Sequence, residues 1–191
     1  VTTLTKDGDT ITLTIGSSED IQTPTCAVSI NGNAATNTET ISGSASSYTC
    51  TLVTHDSDAD GAVTFSIGFT DVGGTAGVAV TAVTSGSGVT HDDTVPTLSA
   101  VVEAVSGSGN GNNGDSVTLT ITPSETIGTP TCTFASGGAA MANTVTYSTS
   151  GSDHICTVAV ADADTDGAVT FTVNFADSAG NSGTEVTAAS S

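Results

Sequence analysis

Ala168-Val169-Thr170-Phe171-Thr172-Val173-Asn174-Phe175 alternates without a break, with Val169, Phe171, Val173 and Phe175 on one face. A period of two over such a run is the mark of a half-buried β-strand. Ser116 to Thr122 has the same pattern, with Val117, Leu119 and Ile121 inward. Outward from these two runs, five more strand candidates follow. They are Leu98 to Val105, Pro130 to Ala135 (with Cys132), Thr144 to Ser148, Ile155 to Ala161 (with Cys156) and Gly183 to Ala188. Asn110-Gly111 and Asn113-Gly114 signal turns. No segment has a 3.6-residue period. Seven short strands in roughly 100 residues predict an all-β, two-sheet sandwich.

The same sandwich is written twice. At an offset of 106 residues, Thr12-Leu13-Thr14-Ile15 falls on Thr118-Leu119-Thr120-Ile121, and Cys26 and Cys50 fall on Cys132 and Cys156. Gly61-Ala62-Val63-Thr64-Phe65 is identical to Gly167-Ala168-Val169-Thr170-Phe171, and Ser18-Glu19 and Asp71 match Ser124-Glu125 and Asp177. A gapless period of this length means tandem domains, expected at residues 1–91 and 92–191. The segment Thr94 to Ser106 has no counterpart ahead of Val1, so the first repeat is expected to lack its first strand. The chain then reads as a window on a longer array. The rival reading, a strand donated by a neighbouring chain, lacks a spare donor segment in the sequence.

Composition bounds the function. One basic side chain, Lys6, stands against twenty acidic ones, for a net charge of −19. Nucleic acid is excluded as a partner and phosphoryl transfer is disfavoured, since both need cationic side chains. An acidic surface attracts divalent cations instead. No apolar run is long enough to span a bilayer as a helix. Four cysteines without a C-x-x-C, placed in two pairs of identical spacing, make Cys26–Cys50 and Cys132–Cys156 the natural disulfides. Free buried thiols are the alternative. Disulfides imply an oxidising compartment, and the chain is expected outside the cell or on its surface.

Asp93-Thr94-Val95-Pro96-Thr97-Leu98 and Phe175-Ala176-Asp177-Ser178-Ala179-Gly180-Asn181 resemble the linker and the final hairpin of bacterial immunoglobulin-like repeats in large extracellular adhesins. The first copy departs at Val72-Gly73-Gly74-Thr75, where the Asn is lost. The resemblance implies two tandem seven-strand immunoglobulin-like β-sandwiches in a stalk-like array, often stiffened by calcium. It implies no single ligand, and the cysteines are closer in sequence than the usual immunoglobulin pair.

The clearest chemical signal is acidic. Asp56-Ser57-Asp58-Ala59-Asp60-Gly61 reads D-x-D-x-D-G, and Asp162-Ala163-Asp164-Thr165-Asp166-Gly167 repeats it. Alternate carboxylates in a tight turn are hard oxygen ligands suited to Ca²⁺. The EF-hand pattern is not met, because a strand follows directly. A solvated acidic turn is the plain alternative. Sandwich topology places Asp7 and Asp9 at the pole of the first loop, and Asp92, Asp93, Glu125 and Asp177 at the entry pole of the second repeat. The expectation is junctional calcium from Asp56, Asp58 and Asp60 with Asp92 or Asp93, and a second group at Glu125 and Asp177. Glu19 and Asp71 are the first-repeat counterparts of that second group. His55, His91 and His154 lack ligand spacing and read as exposed polar residues.

A structural repeat of a surface fibre or filament, associating with copies of itself, is the leading function. A carbohydrate-binding adhesin module would need aromatic platforms, for which only Tyr48 and Tyr147 are available, at non-equivalent positions. A non-catalytic spacer of a secreted enzyme is the third reading. No catalytic set repeats, so no enzyme activity is expected. The Thr- and Ser-rich surface leaves O-linked glycans open, with plain β-surface threonines as the alternative.

Overall fold

The computed structural model describes residues 3–106 and 111–190; Asn110, half of one expected turn, lies outside them. The chain divides into two compact units, Val1–Thr94 and Val95–Ser191. Every regular element among the described residues is a β-strand.

The first unit holds β1 (Thr3–Thr5), β2 (Thr10–Gly16), β3 (Thr25–Ile30), β4 (Asn33–Ala34), β5 (Thr40–Ser44), β6 (Ser47–Val53), β7 (Gly61–Gly68) and β8 (Val89–His91). They form two sheets, β1-β8-β7-β3-β4 and β2-β6-β5. The second unit holds β9 (Leu98–Val105), β10 (Ser116–Pro123), β11 (Thr131–Ser136), β12 (Ala139–Ala140), β13 (Thr146–Ser150), β14 (Asp153–Ala159) and β15 (Val169–Asn174). Its sheets are β13-β14-β10-β9 and β12-β11-β15.

Alternation places the core. Val117, Leu119 and Ile121 are each 0% exposed and pack with Val101, Phe134, Phe171, Val173 and Phe175. Between them run Thr118 and Thr120, on the opposite face of the pleat, as a period of two requires. The densest cluster of the first unit is smaller: Ile11, Val28, Ile30 and Leu52.

One expectation is revised. Gly183 to Ala188 does not form a ladder strand; it touches β15 at the single bridge Val173↔Val186. The cause lies at Gly183, whose N–H donates to the Phe175 carbonyl at 3.0 Å while its backbone passes directly over the Phe175 ring, where any side chain would collide. Gly77 lies over Phe69 in the same way. As expected, no described strand of the first unit takes the place that β9 holds in the second. β1 is present, but it runs parallel to β8 in the opposite sheet from β2, with Thr3 opposite Val89 and Thr5 opposite His91. Among the described residues, the outer edge of β2 stays bare.

Both expected disulfides form. Cys26 on β3 meets Cys50 on β6, and Cys132 on β11 meets Cys156 on β14, with Cα–Cα separations of 6.5 and 6.4 Å. Each bond ties one sheet of its unit to the other. Closing a loop of this size stabilises by about 3 kcal/mol in the chain-entropy model. That is a large share for a core as thin as that of the first unit. A Cys26→Ala/Cys50→Ala variant is expected to lower the melting temperature of the first unit by roughly 10–20 °C while leaving the second in place. Scanning calorimetry with unchanged transitions would contradict this.

Candidate functional site

Each D-x-D-x-D-G stretch connects two strands from opposite sheets: residues 54–60 between β6 and β7, and 160–168 between β14 and β15. The chain reverses at the middle aspartate. Asp58 N–H donates to the His55 carbonyl at 2.8 Å, and Asp164 N–H to the Ala161 carbonyl at 3.0 Å. The carboxylate then folds back on its own turn. Asp58 Oδ2 accepts the His55 N–H at 3.0 Å, and its Oδ1 accepts the Thr36 N–H at 2.7 Å. Asp164 does the same with Ala161 at 2.9 Å and Ala142 at 2.7 Å. Short side chains that satisfy local backbone donors are a common device of turns. Here the middle aspartate also pins the loop to the link ahead of β5 or β13.

Those hydrogen bonds favour the ionised form. Burial opposes the charge of Asp58, yet Thr36, the His55 N–H and the nearby His91 together hold its carboxyl below the ordinary 3.8. The Asp164 carboxyl is held below it by the N–H groups of Ala161 and Ala142.

The outer carboxylates face solvent. Asp56, Asp162 and Asp166 are exposed. Asp60 accepts the Asp93 N–H at 2.7 Å and the Thr94 hydroxyl at 2.5 Å. Burial again opposes its charge, but these donors and His91 lower its pKa. Among the described residues, neither loop gathers oxygens from all three of its carboxylates within 4.8 Å of one another. The middle aspartate, which alternation in the sequence made a metal ligand, has both oxygens on backbone donors.

The expected meeting of loops at one pole is seen in each unit. Gly8 N–H donates to the Thr54 carbonyl at 3.2 Å and Thr54 N–H to the Asp9 carbonyl at 2.9 Å. Gly114–Val160 and Val160–Asp115 repeat this pair at 3.0 and 2.8 Å. Asp7 N–H donates to Asp93 Oδ1 at 2.5 Å, and Asp9 Oδ2 accepts the Lys6 N–H at 3.0 Å. In the second unit this pole holds a polar cavity of about 270 Å³, lined by Asn113, Ser136, Asp162, Asp164, Thr165 and Asp166.

The remaining candidates divide. Asp177 is 7% exposed and clamps the last hairpin, its Oδ1 accepting the N–H groups of Gly180 and Asn181 at 2.7 and 2.8 Å. Asp71 performs the same task through the Thr75 N–H at 2.8 Å, so the first copy tolerates the loss of Asn. That N–H, with those of Gly73 and Gly74, lowers the Asp71 pKa. Glu19 is exposed, while Asp92 and Glu125 are half-buried.

His91 corrects the reading of the histidines as exposed. It is 0% exposed, on β8 between β1 and β7, with Nε2 3.2 Å from Asp93 Oδ2. Its neighbours Thr90 and Asp92 give no apolar signal, so nothing in the sequence marks the site as interior.

The sequence matches no protein-family model and no curated protein. Solved structures do match. A three-domain immunoglobulin structure of titin with an E-to-A substitution aligns over 98% of this chain and 61% of its own, at 10% identity and a TM-score of 0.51. Another titin I-band fragment aligns over 98% and 60%, at 10% identity and 0.48. The N-terminal eight immunoglobulin domains of Down Syndrome Cell Adhesion Molecule align over 100% and 26%, at 15% and 0.40. The chain thus spans about three-fifths of the titin fragments it matches. The first of these likenesses, at a TM-score of 0.51, shows the fold: tandem immunoglobulin-like β-sandwiches.

The aspartate clamp has a pH signature. A carboxyl whose folded pKa lies below its unfolded value contributes stability above the unfolded value and loses it as pH falls through the folded one. Asp58→Ala is expected to cost about 2 kcal/mol at pH 7, because two backbone N–H groups lose their acceptor. The gap to the parent should narrow as pH falls from about 5 toward 2. Denaturant midpoints across pH that keep a constant gap would contradict the clamp.

Proposed function

We propose that this chain is a non-catalytic structural module of an extracellular fibre or surface array, stapled within each repeat by a disulfide and stiffened by calcium. The observation that carries the reading is duplication of scaffold devices. The inter-sheet disulfide, the aspartate-clamped loop and the glycine-over-phenylalanine crossing recur at equivalent places in both units. Two inter-sheet disulfides suit an oxidising compartment. A net charge of −19 keeps copies apart unless cations screen or bridge them.

The adhesin alternative is less well supported. Tyr48 is 6% exposed, its hydroxyl donating to the Ile21 carbonyl at 3.2 Å, which leaves Tyr147 without a partner platform from its counterpart repeat. Association with copies of itself and O-linked glycans on the outward threonines belong to the same reading of an array.

Calcium shared between consecutive repeats rests on the sequence: acidic loops in both copies and acidic residues at the repeat ends. What supports a cation at the loops themselves is the exposure of Asp56, Asp162 and Asp166 and the polar cavity of the second unit. Calorimetric titration of the 191-residue chain with Ca²⁺ is expected to show saturable binding, with melting raised by several degrees over the chelated protein. Asp162→Asn/Asp166→Asn should weaken that binding. A flat titration with identical melting in chelator would overturn the calcium role and leave the disulfide-stapled module.

A further inference from the structure

Residues 92–94 close the first unit, and three segments meet on them. His91, the last residue of β8, lies opposite Gly61 of β7 in an antiparallel pair and opposite Thr5 of β1 in a parallel pair. One step further in the first pair sets Asp60 beside Asp92, and two steps further in the second set Asp7 beside Asp93. Strand register thus delivers the β1–β2 loop and the β6–β7 loop to the chain as it leaves β8.

Asp93 is bonded at both of its ends. Its N–H donates to Asp60 Oδ1 at 2.7 Å, and the hydroxyl of the next residue, Thr94, donates to Asp60 Oδ2 at 2.5 Å. Its own carboxylate engages the other loop, Oδ1 accepting the Asp7 N–H at 2.5 Å. Oδ2 lies 3.2 Å from Nε2 of the buried His91. Asp92 N–H donates to the Thr5 carbonyl at 2.9 Å and so carries the β1–β8 ladder one bond further.

The sequence places Asp60 and Asp93 among the calcium candidates. Of their four carboxylate oxygens, three accept hydrogen bonds and the fourth faces an imidazole. Hydrogen bonds to an ionised carboxylate are among the stronger ones in a protein. A calcium ion binds carboxylate oxygens directly, so it would reach either residue only by displacing one of these neighbours.

We propose that Asp60 and Asp93 form a latch that orders residues 92–94 without a cation. Asp60 holds two consecutive residues of the exit, and Asp93 fastens the same stretch to the loop ahead of β2. Both are positioning residues that act on backbone. The latch is independent of the calcium reading, which in this loop still has the exposed Asp56.

The test is residue-resolved amide hydrogen exchange on the 191-residue chain, in excess chelator and in excess Ca²⁺. In the parent protein the amides of Asp7, Asp92 and Asp93 should be protected equally in both. Asp60→Ala should speed exchange at Asp93 by roughly tenfold, and Asp93→Ala should do the same at Asp7, with the amides of β6 unchanged as the sign of an intact fold. Asp60→Asn keeps an oxygen acceptor but removes the charge a cation would need, so Asp93 should stay protected. Protection at Asp93 that disappears in chelator, or that Asp60→Asn abolishes as fully as Asp60→Ala, would overturn the latch in favour of a bound cation. Fast exchange at Asp7 and Asp93 in the parent, or unchanged exchange in both alanine variants, would overturn it outright. Failure of the calcium reading looks different: a flat titration with all three amides still protected, which supports the latch.

Discussion

The covalent tie between facing sheets sets what the rest of each unit can do. β-Branched and small residues build thin sheets that bury little apolar surface, and such cores lean on cross-links. Cys26–Cys50 and Cys132–Cys156 run from β3 to β6 and from β11 to β14, from one sheet to the other. With the sheets held together, the loop that follows β6 or β14 leaves from a fixed point. One aspartate suffices to anchor it across to the preceding link, by Thr36 in one unit and Ala142 in the other. The acidic pole is therefore a charged end whose loop is anchored beside the staple.

The same tie explains how the two units differ without losing their shared frame. The second closes its core with β9, and Leu119 and Ile121 become fully buried. The first lacks a strand at that edge among its described residues, yet β2, β6 and β5 keep the sheet and Ile11, Val28, Ile30 and Leu52 keep a small core.

Much of this was legible in the sequence because alternation and turns are local signals. Leu98 to Val105 is β9 to the residue, and the cysteine spacing gave the pairing. The strand at Gly183 to Ala188 failed because packing of Gly183 over Phe175 overrides a weak local preference. The burial of His91 depends on β1 and β7 arriving from distant parts of the chain. The acidic stretches do fall in loops between strands, at 54–60 and 160–168. Alternation suggested three convergent ligands, whereas the middle aspartate faces its own backbone; its position three residues after His55 or Ala161, closing a turn, was the available signal.

The central claim, one stapled frame used twice with one edge open, is tested most directly by residue-resolved amide hydrogen exchange on the intact 191-residue chain. Outward-facing amides of β2 should exchange at least roughly tenfold faster than their counterparts in β10, which donate to β9, while the amides of β6 and β14 facing the inner ladders stay similarly protected. Equal protection along β2 and β10 would contradict the account.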